Sequence, residues 1–107
     1  MPTLDDFLAN LDREVRALVD RDWRDLKTEA GRDASAFLEM LKPDLQKWAA
    51  QLAAGKLEMD DVEYMIGSRR ERAELQELKR LGLSQAKRDK LVNGIVELAT
   101  KALSKLV

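Results

Sequence analysis

The chain has 107 residues, 45% of them hydrophobic and 36% charged, with a formal net charge of −1. It contains no cysteine and no histidine, which excludes disulfides, thiolate metal sites, imidazole general bases and the Glu-x-x-His pattern of helical di-iron centres. The near-neutral balance, with a pI of about 5.5, argues against a dedicated nucleic-acid binder.

Ala, Leu, Glu, Lys, Arg and Asp dominate, and β-branched residues are few. That is a helical composition, and the length suits a single all-helical domain. Abundant, periodic apolar residues argue against disorder. No apolar run approaches the 18 residues of a membrane span, and "MPTLDDFLAN" has neither the basic nor the apolar part of a signal peptide. A cytoplasmic location is expected. The composition is of the kind found in small bacterial or phage-encoded helical proteins, with no motif diagnostic of a family.

The first half is organised by an eleven-residue period. Leu4, Val15, Leu26, Phe37 and Trp48 recur at that interval, as do Leu8, Val19, Ala30, Leu41 and Leu52. Trp23, Ala34 and Leu45 form a third row on the same helical face. Eleven residues in three turns is about 3.67 per turn, close to a straight α-helix. The phase is kept across Gly31 and Pro43, the usual punctuation between helices. The pattern therefore predicts one amphipathic helix over residues 4–42, with Thr3 as N-cap, Asp5 and Asp6 in its first turn and Gly31 in its interior. A kink or break is expected near Pro43, which suits the first turn of a helix over 43–54 that Gly55 ends. A straight 40-residue helix would be about 60 Å long.

In the second half, "LEMDDVEYMI" reads as a helix start. Asp60 with Glu63 fits a capping box, and Met59 with Tyr64 fits a hydrophobic staple. The helix is expected over 60–81 with Gly82 as its stop. Val62, Met65, Ile66 and Ala73 share one face, whereas Tyr64, Leu75 and Leu78 lie opposite. Either the helix is gripped on both sides, or a short helix over 60–66 gives way to another from 69, with Ser68 and Glu71 as a second capping box. Ser84 then caps a last helix over 85–106, whose apolar residues from Leu91 to Leu106 cover an arc of about 160°. Packed together, these helices predict an all-α antiparallel bundle. Residues 1–30 carry a net charge of −3 and residues 83–107 a net of +3, consistent with helix-dipole complementarity or with the two ends lying side by side.

Arg69, Arg70 and Arg72 in "SRRER" form the tight basic cluster. They are anion- or nucleic-acid-contact candidates, but interleaved Glu71, Glu74 and Glu77 suit a solvated helix face better. Glu58, Asp60, Asp61 and Glu63 lack the ligand spacing and mid-loop glycine of a calcium loop and read as an acidic cap. No histidine stands ready to activate Ser35, Ser68, Ser84 or Ser104, so no catalytic residue, metal or cofactor is expected. Candidate interface residues are those of the stripe: Leu4, Leu8, Val15, Val19, Trp23, Leu26, Phe37, Leu41, Leu45, Trp48 and Leu52. A long helix with such a stripe leaves apolar length uncovered by shorter helices, which points to a non-enzymatic interaction or assembly module, homo-oligomeric or bound to a helical partner. The alternatives are an amphipathic helix on a lipid or granule surface and, more weakly, a nucleic-acid-binding regulator.

Overall fold

Helices and short turns, with no strand, account for the residues the computed structural model describes, 4–105. In chain order they are α1 (Leu4–Asp22), α2 (Lys27–Ala53), α3 (Met59–Ser68), α4 (Gln76–Arg80) and α5 (Gln85–Ser104). Single 3-10 turns over Arg24–Leu26 and Arg69–Arg72 interrupt the α-helical run. The architecture is an all-α bundle, as the periodicity implies.

The first half is not a rod. Asp20 on α1 pairs with Lys27 at the start of α2 (3.2 Å), and Asp12 further back pairs with Lys42 further on (3.5 Å). The chain therefore reverses at Trp23–Leu26, and α1 lies antiparallel on α2. The expected helix over 4–42 is thus two helices, and the one expected over 43–54 is the second half of α2. At about 1.5 Å per residue, the 27 residues of α2 span about 40 Å, and the longest dimension of the whole molecule is 43 Å. Gly31 does sit inside a helix, so an interior Gly31 is compatible with a bundle. Pro43 also lies within α2. Its missing N–H would have bonded the Glu39 carbonyl, but both residues are solvent-exposed, so the lost bond is not buried away from solvent and the helix runs on. The Thr3 cap falls outside the described residues.

The turn after α2 is encoded as expected. Gly55 adopts φ +73, and its N–H and that of Lys56 return to the carbonyls of Leu52 and Gln51, closing the helix in the left-handed conformation only glycine takes freely. The box opening α3 sits two residues earlier than the acidic spacing suggests. Glu58 is the N-cap, and its N–H donates to the Asp61 carboxylate at 3.0 Å. Tyr64 is 80% exposed and staples nothing.

The expected helix over 60–81 is also divided. Ser68 donates to the Met65 carbonyl at 2.7 Å instead of capping a new helix, and the chain unwinds through the 3-10 turn to an extended Ala73. That break resolves the two-faced pattern. Leu75 and Leu78 turn into the core from a separate short helix, while Val62 and Ile66 reach it from α3. The helix expected over 85–106 is α5 as far as Ser104, residue 106 lying outside the described residues, with Ser84 accepting the Lys87 N–H at 3.3 Å.

One core unites the elements. Phe7, Leu11, Val15 and Val19 from α1 meet Phe37, Leu41, Leu45 and Trp48 from α2, over Leu91, Ile95, Ala99 and Leu103 of α5. Full burial of a large aliphatic side chain stabilises the fold by roughly 1.5–3 kcal/mol. α5 packs against α1, α2 and α3, which accounts for its wide apolar arc and places the acidic N-terminal helix beside the basic C-terminal one.

Candidate functional site

The eleven-residue stripe faces inward. Val15, Val19, Phe37, Leu41, Leu45, Trp48 and Leu52 are buried in the chain's own core, and Leu8, Trp23 and Leu26 pack half-buried against it. The Leu4 side chain lies outside the described residues. Both helices of the hairpin turn the same rows toward each other, so the described residues of the expected intermolecular interface pack within one chain.

The basic cluster is split by the 3-10 turn that carries it. Arg69 donates through Nε to Asp44 at 2.9 Å and stacks over Trp48, 5.6 Å from the ring centroid. It ties the end of α3 to α2. Arg70 lines an open groove of about 660 Å³ together with Lys79 and Arg88, but Glu71, Glu74 and Asp89 line the same groove. Charges of both signs cancel there, and no field of one sign builds up. Arg72 borders a different groove of about 440 Å³, between α2 and residues 72–77. The three arginines thus point to three places.

The second groove is closed at its base by Asp33, 5% exposed. Its carboxylate accepts the N–H groups of Glu77 (3.1 Å) and Leu78 (2.8 Å) at the start of α4. The residue preceding α4, Leu75, is left-handed (φ 45, ψ 52) and supplies no cap, so the cap comes from another helix. Asp33 interrupts the apolar stripe. Without the fold, nothing in the sequence marks the two amides it serves 44 and 45 positions away.

On the outside, Leu81 just after α4 is 49% exposed, and α3 has a free face. Tyr64 stands there at 80% exposure, beside exposed Asp60, Asp61 and Glu63. α3 carries no basic residue. Among the described residues no cluster of metal-ligating side chains occurs, and no helix is long and apolar enough to cross a membrane.

No family model, no curated protein and no solved structure matches this chain.

Proposed function

We propose that the protein is a non-enzymatic, helical protein–protein interaction module whose docking face is the exposed side of α3, centred on Tyr64. The observation that carries this is the 80% exposure of Tyr64, the most exposed large hydrophobic side chain among the described residues, ahead of Leu81 at 49%. Tyrosine offers a large contact area at a small cost in side-chain entropy and is enriched among binding hot spots. Asp60, Asp61 and Glu63 surround it with negative charge, which steers a basic partner segment and fixes its orientation.

In the hairpin the stripe faces inward, so a bare stripe on a rod no longer supplies the reason for a homo-oligomer of this state. The lipid- or granule-surface alternative asks for that same stripe, and the nucleic-acid alternative asks for Arg69, which is already held by Asp44 and Trp48. The interaction reading stands on α3 instead. Pull-down with the wild-type chain and with Tyr64→Ala tests it. Proteins retained by the wild type should be lost with Tyr64→Ala and weakened by Asp60→Asn/Glu63→Gln, while the melting temperature stays within about 2 °C, as for an exposed position. Identical captured sets for all three would refute the reading.

A further inference from the structure

The break between α1 and α2 is made of residues that do not encode one. Trp23-Arg24-Asp25-Leu26 contains neither glycine nor proline, and no side chain caps the 3-10 turn or the start of α2. Gly55 and Gly82, by contrast, close their turns at φ +73 and +83. α-Helical bonding continues one residue past α1, and a single 3-10 bond spans the turn. The Trp23 N–H donates to the Val19 carbonyl at 2.9 Å, an α-helical bond, and the Leu26 N–H to the Trp23 carbonyl at 3.1 Å. Trp23 (φ −127, ψ 39) and Leu26 (φ −125, ψ 30) flank the 3-10 turn outside the helical region, and Lys27 has returned to φ −54, ψ −42. Changes at two residues separate the hairpin from one helix over residues 4–53.

The apolar stripe is already in register for that second state. Two helices joined by a turn have no reason to share a phase, yet the eleven-residue rows pass from Val15 through Leu26 to Phe37, and from Val19 through Ala30 to Leu41, without a shift. A fused helix would carry one straight, bare stripe. The covering that stripe needs is already present in the hairpin, as the antiparallel seam of α1 on α2 and α5.

We propose that the chain has a second, dimeric state in which α1 and α2 fuse and α1 of each chain packs on α2 and α5 of a second copy. A two-fold axis through the turn reproduces the antiparallel pairing between chains. Phe7, Leu11, Val15 and Val19 then fill the same core in trans, and Asp12 meets Lys42 of the other copy. No new surface is required, because only the turn changes its conformation. The proposal is independent of the α3 docking face, and Tyr64→Ala leaves the dimer unchanged.

The chain has no cysteine, so N10C/Q46C at two exposed positions takes spin labels without background. In the hairpin the labels sit on adjacent helices whose axes pack about 10 Å apart. In the fused helix the 36 intervening steps place their backbones about 54 Å apart. The labelled chain, diluted into excess unlabelled chain, is refolded at millimolar concentration and separated by chromatography with light scattering. The expected result is a species of twice 12.2 kDa whose labels report the long distance. R24G/D25G, which disfavours helix in the turn, should deplete that species at least tenfold. R24A/D25A, which favours helix at the same positions, should enrich it. A chain that stays at 12.2 kDa, a dimer that keeps the short distance, or equal dimer in both variants would overturn the proposal.

Discussion

The carboxylate of Asp33 accepts the backbone N–H of Leu78 at 2.8 Å, capping a helix that begins more than forty residues away in the sequence. α4 has only five residues and no cap of its own, so its position depends on this bond and on the burial of Leu75 and Leu78. Asp33→Ala leaves two amides without an acceptor in a site that is 5% exposed. The expected loss is about 2–3 kcal/mol, because buried unsatisfied donors and charge-assisted bonds both carry large penalties. Asp33→Asn keeps one acceptor oxygen and should lose about half as much. Urea denaturation at neutral pH measures both, and a wild-type midpoint for Asp33→Ala would remove the cap from the account.

Gly31 and Pro43 are the two helix breakers that α2 absorbs. No atom lies within 4 Å of where a Cβ on Gly31 would sit, and its backbone is helical. Gly31→Ala should therefore stabilise by about 0.5–1 kcal/mol, through the smaller backbone entropy lost on folding. Pro43→Ala restores the N–H to the Glu39 carbonyl and relieves the restriction on Lys42. It should stabilise by about 1 kcal/mol, well under the full interior-proline penalty of about 3 kcal/mol, because proline also restrains the unfolded chain. A loss at either position in thermal unfolding would contradict a continuous α2.

Much of this fold is written locally, and the exceptions share a cause. Gly55, Gly82 and Ser84 set the helix ends where their chemistry predicts, and the composition alone indicates an all-α protein. The reversal at Trp23 is not written that way. An eleven-residue period reports which face is apolar, and rows that keep their phase across Trp23–Leu26 suit one long helix without excluding a reversal between two helices that face one core. The break follows from the burial gained when Val15 and Val19 pack onto Ala34 and Leu38, a tertiary effect with no local signature. Division of the 60–81 segment was half visible, since Leu75 and Leu78 were out of phase with Val62 and Ile66. The Asp33 cap lay beyond reach because its partners are backbone amides. The spacing of Met59 and Tyr64 suits a staple only if the box begins at Asp60, and with Glu58 as the N-cap Tyr64 is left exposed.

Lys42 joins the two arms of the hairpin, 2.7 Å from Glu39 on its own helix and 3.5 Å from Asp12 on α1. The hydrogen bond to Glu39, followed by attraction to Asp12, outweighs partial burial and raises the ammonium above its ordinary value of 10.5. A raised lysine stabilises the fold fully below the unfolded-state pKa, and the contribution disappears as pH climbs through the folded-state value. Lys42→Met should therefore cost stability uniformly at neutral pH, by roughly 0.5–1 kcal/mol for a pair that is about one-quarter exposed at the lysine. The difference between wild type and variant should shrink as pH climbs past 10.5 and vanish only above the raised folded-state value. Urea midpoints at pH 7 and pH 11 measure this, and an equal difference at both values would show that Lys42 acts only through its aliphatic stem.

Gly94 on α5 faces Leu18 of α1 with no room for an added carbon. A Cβ placed there would lie 2.8 Å from Cδ2 of Leu18, 3.6 Å from Cδ1 and 3.8 Å from Cγ. Two terms then compete in Gly94→Ala. Alanine gains about 1 kcal/mol over glycine inside a helix, while Leu18 must rotate its branched end away from the seam, at about 1 kcal/mol for an off-rotamer side chain. In the wild-type background the result should be near zero. With Leu18→Ala already made, the obstruction is gone, and Gly94→Ala should stabilise by the full 1 kcal/mol or so. The double-mutant cycle on these two positions should thus give a coupling of about 1 kcal/mol. Gly94→Leu brings a whole side chain to the seam and should cost about 1–3 kcal/mol by overpacking. Were Gly94→Ala to have the same effect with and without Leu18, the glycine would serve only the backbone, and the close contact between α1 and α5 would not set their spacing.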